Sequence, residues 1–202
     1  MSNSINYAPG TTITGASISG ASNTITNVSL TTGVTGTLPV ANGGTGSTTW
    51  GQLAIFTDQK ANSVSGDAIT SGAWTKITLN TEQVDTGSAF SVASSVITVA
   101  AGGGGVYRIS ASVPCITTST TIIRLRRTNN TAATLAVGQA VYSWSSDFTS
   151  SIAEIISRVT LSDGDTLELQ AFTSTNGNIG YSAGGMTDGE VRIYSILQLT
   201  RE

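Results

Sequence analysis

No Asp, Glu, Lys or Arg occurs before Asp58, so all nine basic and twelve acidic residues of this 202-residue chain fall in its last three quarters. A break of that kind marks two different physical objects. Before it, the segment "TTITGASISGASNTITNVSLTTGVTGTLPV" (residues 11–40) holds a five-residue near-repeat, "TITGA" (Thr12–Ala16) followed at once by "SISGA" (Ser17–Ala21). Ile25, Val28, Leu30, Val34, Leu38 and Val40 then stand mostly isolated among small polar residues. Their β-branched character favours extended backbone, but so few apolar side chains cannot offset the entropy of ordering a single chain. Alone, such a segment is expected to be disordered. The alternative is that identical chains share their apolar stripes around a common axis. Collagen is excluded, because glycine does not recur at every third position and proline is nearly absent. Residues 1–50, fully extended, reach at most roughly 165 Å, and their expected work is reach or attachment.

The formal charge of −3 and the acidic pI near 4.8 leave no basic surface of the kind that drives counterion release on nucleic acid. Charged residues make up only 10% of the chain, and the abundance of Gly, Ser and Thr is the composition of strands and turns. Histidine is absent and Cys115 is the single cysteine, which excludes a cysteine/histidine metal site, a Ser-His-Asp triad and an intrachain disulfide. The opening "MSNSINYAPG" has neither a basic n-region nor an apolar h-region, and no apolar run approaches the about 18 residues of a spanning helix. Neither secretion by a cleavable signal nor membrane insertion is expected, and no residue pattern asks for a cofactor.

From about Gln52 onward, strand-like runs recur between turn signals. They are "LAIFTD" (Leu53–Asp58), "WTKITLN" (Trp74–Asn80), "SSVITVAA" (Ser94–Ala101), "VYRISASV" (Val106–Val113), "TTIIRLRR" (Thr120–Arg127), "ATLAVGQAVYSW" (Ala133–Trp144), "IAEIISRVTL" (Ile152–Leu161), "TLELQAF" (Thr166–Phe172) and "GEVRIYSILQLT" (Gly189–Thr200). This spacing predicts a β-sandwich. In "VYRISASV" Tyr107, Ile109, Ala111 and Val113 should face the core, and Val106, Arg108, Ser110 and Ser112 the solvent; in "TLELQAF" the core set is Leu167, Leu169 and Ala171. "AGGGG" (Ala101–Gly105), "SDGD" (Ser162–Asp165) and "STNGNIGYSAGGMTDG" (Ser174–Gly189) read as turns and loops. The one helix-compatible stretch, "FTSSIAEIISRV", is short and flanked by strands, and is assigned β.

The order of motifs in residues 52–202, "GGVYRISASV", then "VTLSDGDTLELQAF", then a Gly-rich loop and a terminal "VRIYSILQL", resembles the tumour necrosis factor and complement globular-head superfamily. A Gly-x-Tyr strand and a Leu-x-x-Gly-Asp turn mark its ten-strand jelly roll, and "WTKITLN" with "VDTGSAFSV" fits its opening strands. The resemblance implies a tight homotrimer, with Tyr107, Leu167, Leu169, Tyr194 and Leu197 in the core or at the trimer axis. In the N-terminal part, Leu38, Pro39, Val40, Gly43, Gly44, Thr45 and Gly46 form an "L-P-V-x-x-G-G-T-G" segment that resembles a signature of bacteriophage tail-fibre and related virion proteins. It implies a joint: Pro39 ends an extended run, Gly43, Gly44 and Gly46 permit a change of direction, and Trp50 begins the packed part. The expected architecture is therefore all-β, an extended N-terminal arm or shaft (1–50) followed by a homotrimeric jelly-roll sandwich (51–202).

Chemistry is sparse. "NGGTGSTT" lacks the Gly-Lys-Ser/Thr and the helix start of a phosphate loop, since Ser47 follows Gly46 and the nearest lysine is Lys60. Asp163 and Asp165 straddle Gly164 and are weak metal candidates, against the plainer reading of carboxylates that cap turn N–H groups. Arg124 and Arg126 lie on one strand face, a solvated face or inter-subunit ion pair on the plain reading and a patch for anionic bacterial glycans on the sharper one. Trp50, Trp74 and Trp144, with Tyr181 in the "GNIGYSAGG" loop, raise sugar stacking against core or interface packing. Glu154 and Glu168 lack a partner for acid/base work. Cys115, after Pro114, reads as a small buried apolar residue. The function expected is a structural protein of a bacteriophage particle, a trimeric tail-fibre-like appendage held to other virion proteins through residues 1–50, with residues 175–189 and other loops meeting a host-surface glycan or protein. A trimeric capsid decoration protein whose arm laces coat subunits is the alternative, and a polysaccharide depolymerase the second. No enzymatic activity is expected, and the chain is placed in virions assembled in the bacterial cytoplasm.

Overall fold

Side chains that alternate in and out along extended backbone force each strand to bury one face, and two sheets packed face to face satisfy all of them at once. The computed structural model describes residues 51–61, 64, 66–116, 118–129, 131–143, 151–179 and 191–202, all within the compact unit Thr49–Glu202. The expected arm with its joint residues Pro39, Gly43, Gly44 and Gly46, and also Trp50, Trp144 and Tyr181, lie outside the described residues.

The described residues contain no helix. The strands are β1 (Leu53–Lys60), β2 (Ala68–Ile69), β3 (Trp74–Lys76), β4 (Thr81–Asp85), β5 (Phe90–Ala93), β6 (Val96–Val99), β7 (Gly105–Ile116), β8 (Ser119–Arg127), β9 (Ala133–Val137), β10 (Val141–Ser143), β11 (Ser151–Leu161), β12 (Thr166–Thr173), β13 (Gly177–Ile179) and β14 (Arg192–Arg201). In the first sheet β7 lies between β11 and β14, followed by β1 and β4, while β13 and β2 extend it along the far end of β7. In the second, β8 and β12 are central, with β10 and β9 against β8, and with β6, β5 and β3 on the β12 side. The pairings between these strands are antiparallel. This is a jelly-roll sandwich.

The core follows the alternation. Tyr107, Ile109, Ala111, Val113 and Cys115 of β7 point inward against Leu167, Leu169 and Ala171 of β12 and Ile123 and Leu125 of β8. Phe90 packs edge-on against both Phe56 and Tyr107, with ring centroids 6.1 and 5.3 Å apart, and so ties β5 to β1 and β7. "FTSSIAEIISRV" is β over its described part, as strand β11.

Several boundaries differ from the sequence expectation. "WTKITLN" is strand only to Lys76; beyond it Ile77 N–H donates to Leu169 C=O and the chain turns, so Asn80 lies outside. Thr81–Asp85 then forms β4, an edge strand whose polar "TEQVD" gives no alternation to read. "ATLAVGQAVYSW" is two strands, because at Gly138 the backbone comes so close to β11 that an added Cβ would lie 2.2 Å from Glu154 O. Gly177–Ile179, expected within a loop, pairs with both β7 and β2 and buries Ile179. The hairpin between β5 and β6 also turns without glycine. Ser94 and Ser95 hold φ of 50° and 62°, the conformation a two-residue hairpin loop demands.

Candidate functional site

The sandwich presents two outer faces of opposite chemistry. On the first sheet, β11 turns Ile152, Glu154, Ile156, Arg158 and Thr160 outward, and Ile152 and Ile156 are 54% and 71% exposed. Ile193 and Ile196 of β14 are exposed on the same face, and Leu53 and Ile55 of β1 continue it half-buried. The register sets small side chains between these ridges: Ile156 lies opposite Ser110, Ile152 opposite Pro114, and Ile196 opposite Ser112. Isoleucine ridges thus flank a serine trough on β7, where a hollow of about 270 Å³ opens between Arg108, Ser110, Gln198 and Thr200. A larger groove of about 510 Å³ runs along the β11 edge, lined by Val137, Gly138, Gln139, Val141, Ile152, Glu154 and Ile156. Such a face is unfavourable in water, and covering what remains exposed of each isoleucine would contribute a fraction of the about 1.5–3 kcal/mol that full burial is worth.

On the second sheet the outward residues of β8 and β12 are Arg124, Arg126, Glu168, Gln170 and Phe172, with Trp74 and Lys76 from β3 beside them. Cross-strand register places Phe172 opposite Trp74, Gln170 between Arg124 and Lys76, and Glu168 opposite Arg126. The Arg124 guanidinium carbon sits 3.9 Å over the Trp74 ring, and Trp74 meets Phe172 with centroids 5.6 Å apart. Gln170 is almost fully buried and fixes the group: its Oε1 accepts from Arg124 Nε at 2.8 Å and its Nε2 donates to Glu168 Oε2 at 2.7 Å. Burial, and secondly the like charge of Arg126, pulls Arg124 below the ordinary arginine value. Arg126 makes no ion pair among the described residues.

The remaining residues singled out in the sequence fall inside or at turns. Tyr107, Leu167, Leu169 and Leu197 are fully buried within one chain, and Tyr194 nearly so with its hydroxyl donating to Val64 C=O at 2.6 Å. All five are buried within the single chain. Asp163 accepts from Gly102 N–H at 2.8 Å and Gly104 N–H at 2.6 Å, and these two bonds hold its carboxyl below the usual carboxylate range. Asp165 accepts from Ser162 N–H and pairs with Arg127 Nη1 at 3.2 Å. Both acids are occupied in turn chemistry. No group of three or more His, Cys, Asp or Glu able to hold a metal is found among the described residues. Cys115 is a buried free thiol, its acidity weakened by burial.

Sequence reasoning missed three features. The stack of Trp74, Arg124 and Phe172 depends on strand neighbours that only the fold supplies. The isoleucine face had a signal, because "SIAEIIS" carries isoleucine on both sides of one strand, the mark of a strand covered on both faces. The third is an ion cluster at the end of β1, where Lys60 Nζ lies 3.1 Å from both Asp58 and Asp67. Asp58 is fully buried with Oδ2 unpaired, and burial raises its pKa; at Asp67 burial is outweighed by hydrogen bonds from Thr78 and Lys60, which lower it.

No protein-family model matches the sequence, and no characterised protein matches it as a relative. Among solved structures, Eiger TNF from S. frugiperda is similar with a TM-score of 0.52 and 15% identity, over 76% of this chain and 94% of that one. Murine APRIL at pH 5.0 is similar with a TM-score of 0.51 and 11% identity, over 75% of this chain and 99% of that one. The PRD1 vertex protein P5 gives 0.46 and 18%, over 74% and 94%. The assignment rests on the first two: the described part of this chain has the jelly-roll fold of the tumour necrosis factor kind.

Proposed function

We propose that the protein is a structural component of a bacteriophage particle, a homotrimeric appendage joined to other virion proteins through residues 1–50 and carrying its jelly roll outward for adhesion to the host surface. The observation that carries the reading is the exposed isoleucine face of the first sheet. A single chain that has already buried its core leaves Ile152, Ile156, Ile193 and Ile196 in water, and copies of itself are the natural cover for such a patch. The virion context comes from the charge-free segment and its "LPVANGGTG" motif, which resembles a signature of phage virion proteins and whose composition is expected to give reach rather than a core. Glu154 and Glu168 stand on outer faces of different sheets and so do not form a carboxylate pair with each other.

A trimeric decoration protein on the capsid, its arm lacing coat subunits, is the second reading, favoured by the small size of the one jelly roll that follows so long an arm. Labelling the protein in intact particles decides between them. Signal on the tail or vertices supports the appendage and signal over the head shell supports decoration. A chain without residues 1–50 should fold yet fail to enter particles; its incorporation at wild-type level would refute attachment through the arm.

A further inference from the structure

The outer face of the second sheet is unusual for an acidic chain. Against a net charge of −3 it carries Lys76, Arg124 and Arg126 with one carboxylate, Glu168, which is itself engaged by Gln170; Lys76 lies opposite Gln170 and its Nζ donates to Ser94 C=O at 2.8 Å. Arg124 and Arg126 are two residues apart on one strand, about 7 Å, and Lys76 stands two strand spacings from Arg124, about 10 Å. Charges at such intervals suit an extended polymer rather than one small ion. The face is also ordered in advance. Arg124 is clamped between the Trp74 ring at 3.9 Å and Gln170 at 2.8 Å, bonds that occupy its plane and its Nε. Its Nη2 has no acceptor among the described residues. A guanidinium held in that way gives up little further freedom when a carboxylate docks on its open edge. Trp74, 36% exposed beside Phe172, supplies the apolar part of the same surface, against which the C–H face of a sugar ring packs.

We propose that this face binds an acidic polysaccharide, with uronate carboxylates held by Arg124, Arg126 and Lys76 and a sugar ring packed on Trp74. The proposal rests on the adhesion reading and names the ligand class for it. A nucleic acid is disfavoured by the acidity of the whole chain, and an acidic peptide would leave the indole unused.

The test uses the full chain at physiological ionic strength, about 0.15 M, against immobilised hyaluronan and alginate, with dextran, polyglutamate and a single-stranded oligodeoxynucleotide as comparisons. Binding to a uronate polymer with none to dextran and weaker binding to polyglutamate and the oligonucleotide is expected. Arg126→Gln, which removes a half-buried cation with no ion pair among the described residues, and Arg124→Gln/Arg126→Gln should each weaken uronate binding, the double change by about tenfold or more. Trp74→Ala, which loosens Arg124 as well as removing the indole, should weaken uronate binding by a larger factor than any polyglutamate binding. No binding to either uronate polymer overturns the proposal, as does equal binding to polyglutamate or the oligonucleotide, or wild-type binding by the double variant. Particle incorporation of the same variants separates this from the parent reading: variants that enter particles normally while wild type ignores uronates sink the glycan site alone.

Discussion

The two outer faces of the sandwich are made from strands of similar length that share one core, yet they meet the solvent differently. The first sheet shows bare isoleucines over a trough of serines, with the Arg158–Glu202 pair and the Gln198–Thr200 contact among its side-chain bonds. The second lays a guanidinium over Trp74, which stays 36% exposed, and ties that guanidinium to a nearly buried glutamine. A surface meant for another copy of the protein gains by being apolar, because the partner removes it from water. One meant to stay in water and meet a polar ligand gains by being charged and already ordered. The difference teaches that two sheets sharing one core can carry outer faces of different chemistry, the condition under which the proposed division into assembly and recognition would leave the interior unaltered.

The sharpest way to break this comparison is to charge the apolar face. Ile152→Asp/Ile156→Asp should abolish association, at least a hundredfold weaker, since each copy would bury unpaired carboxylates. Light scattering should report a trimer for the wild-type chain and a folded monomer for the variant. A monomeric wild type, or a variant that remains trimeric, would remove the assembly role from this face. Next in size is Gly138→Ala, where the sheets approach edge to edge and an added Cβ lies 2.2 Å from Glu154 O. About 1–3 kcal/mol of destabilisation is expected, visible as a Tm lower by several degrees. An unchanged Tm would mean that the β9–β10 link yields freely. Smallest is Arg126→Gln on the second face, which should leave the oligomeric state unchanged and shift stability by no more than about 0.5 kcal/mol. Dissociation of this variant would show that the arginine face also takes part in assembly.

Much of the fold was legible because alternation is a local property. "VYRISASV" and "TLELQAF" announce which side chains face inward, and each of those residues is buried as expected. What escaped notice lacked a local signature. β4 is an edge strand of polar residues, and β13 is three residues inside a Gly- and Asn-rich stretch, so both exist only because a neighbouring strand offers free backbone groups. The candidate sites were legible in part. Arg124 and Arg126 share a face by simple period-two counting, but Trp74 lies fifty residues earlier and Gln170 forty-six later than Arg124. Only pairing through β12 brings the three together.

The sequence by itself determined the composition of each part, the all-β character and the inward side of each strongly alternating strand, because these follow from the period of two and from propensities that need no neighbours. Tertiary structure alone decided that Tyr107, Leu167, Leu169, Tyr194 and Leu197 belong to the interior of one chain, that isoleucines remain uncovered on one sheet, and that arginine lies over tryptophan on the other. Strand order and register are set by contacts between distant segments, and which side chains become neighbours across a sheet follows from that order rather than from any stretch of residues read alone.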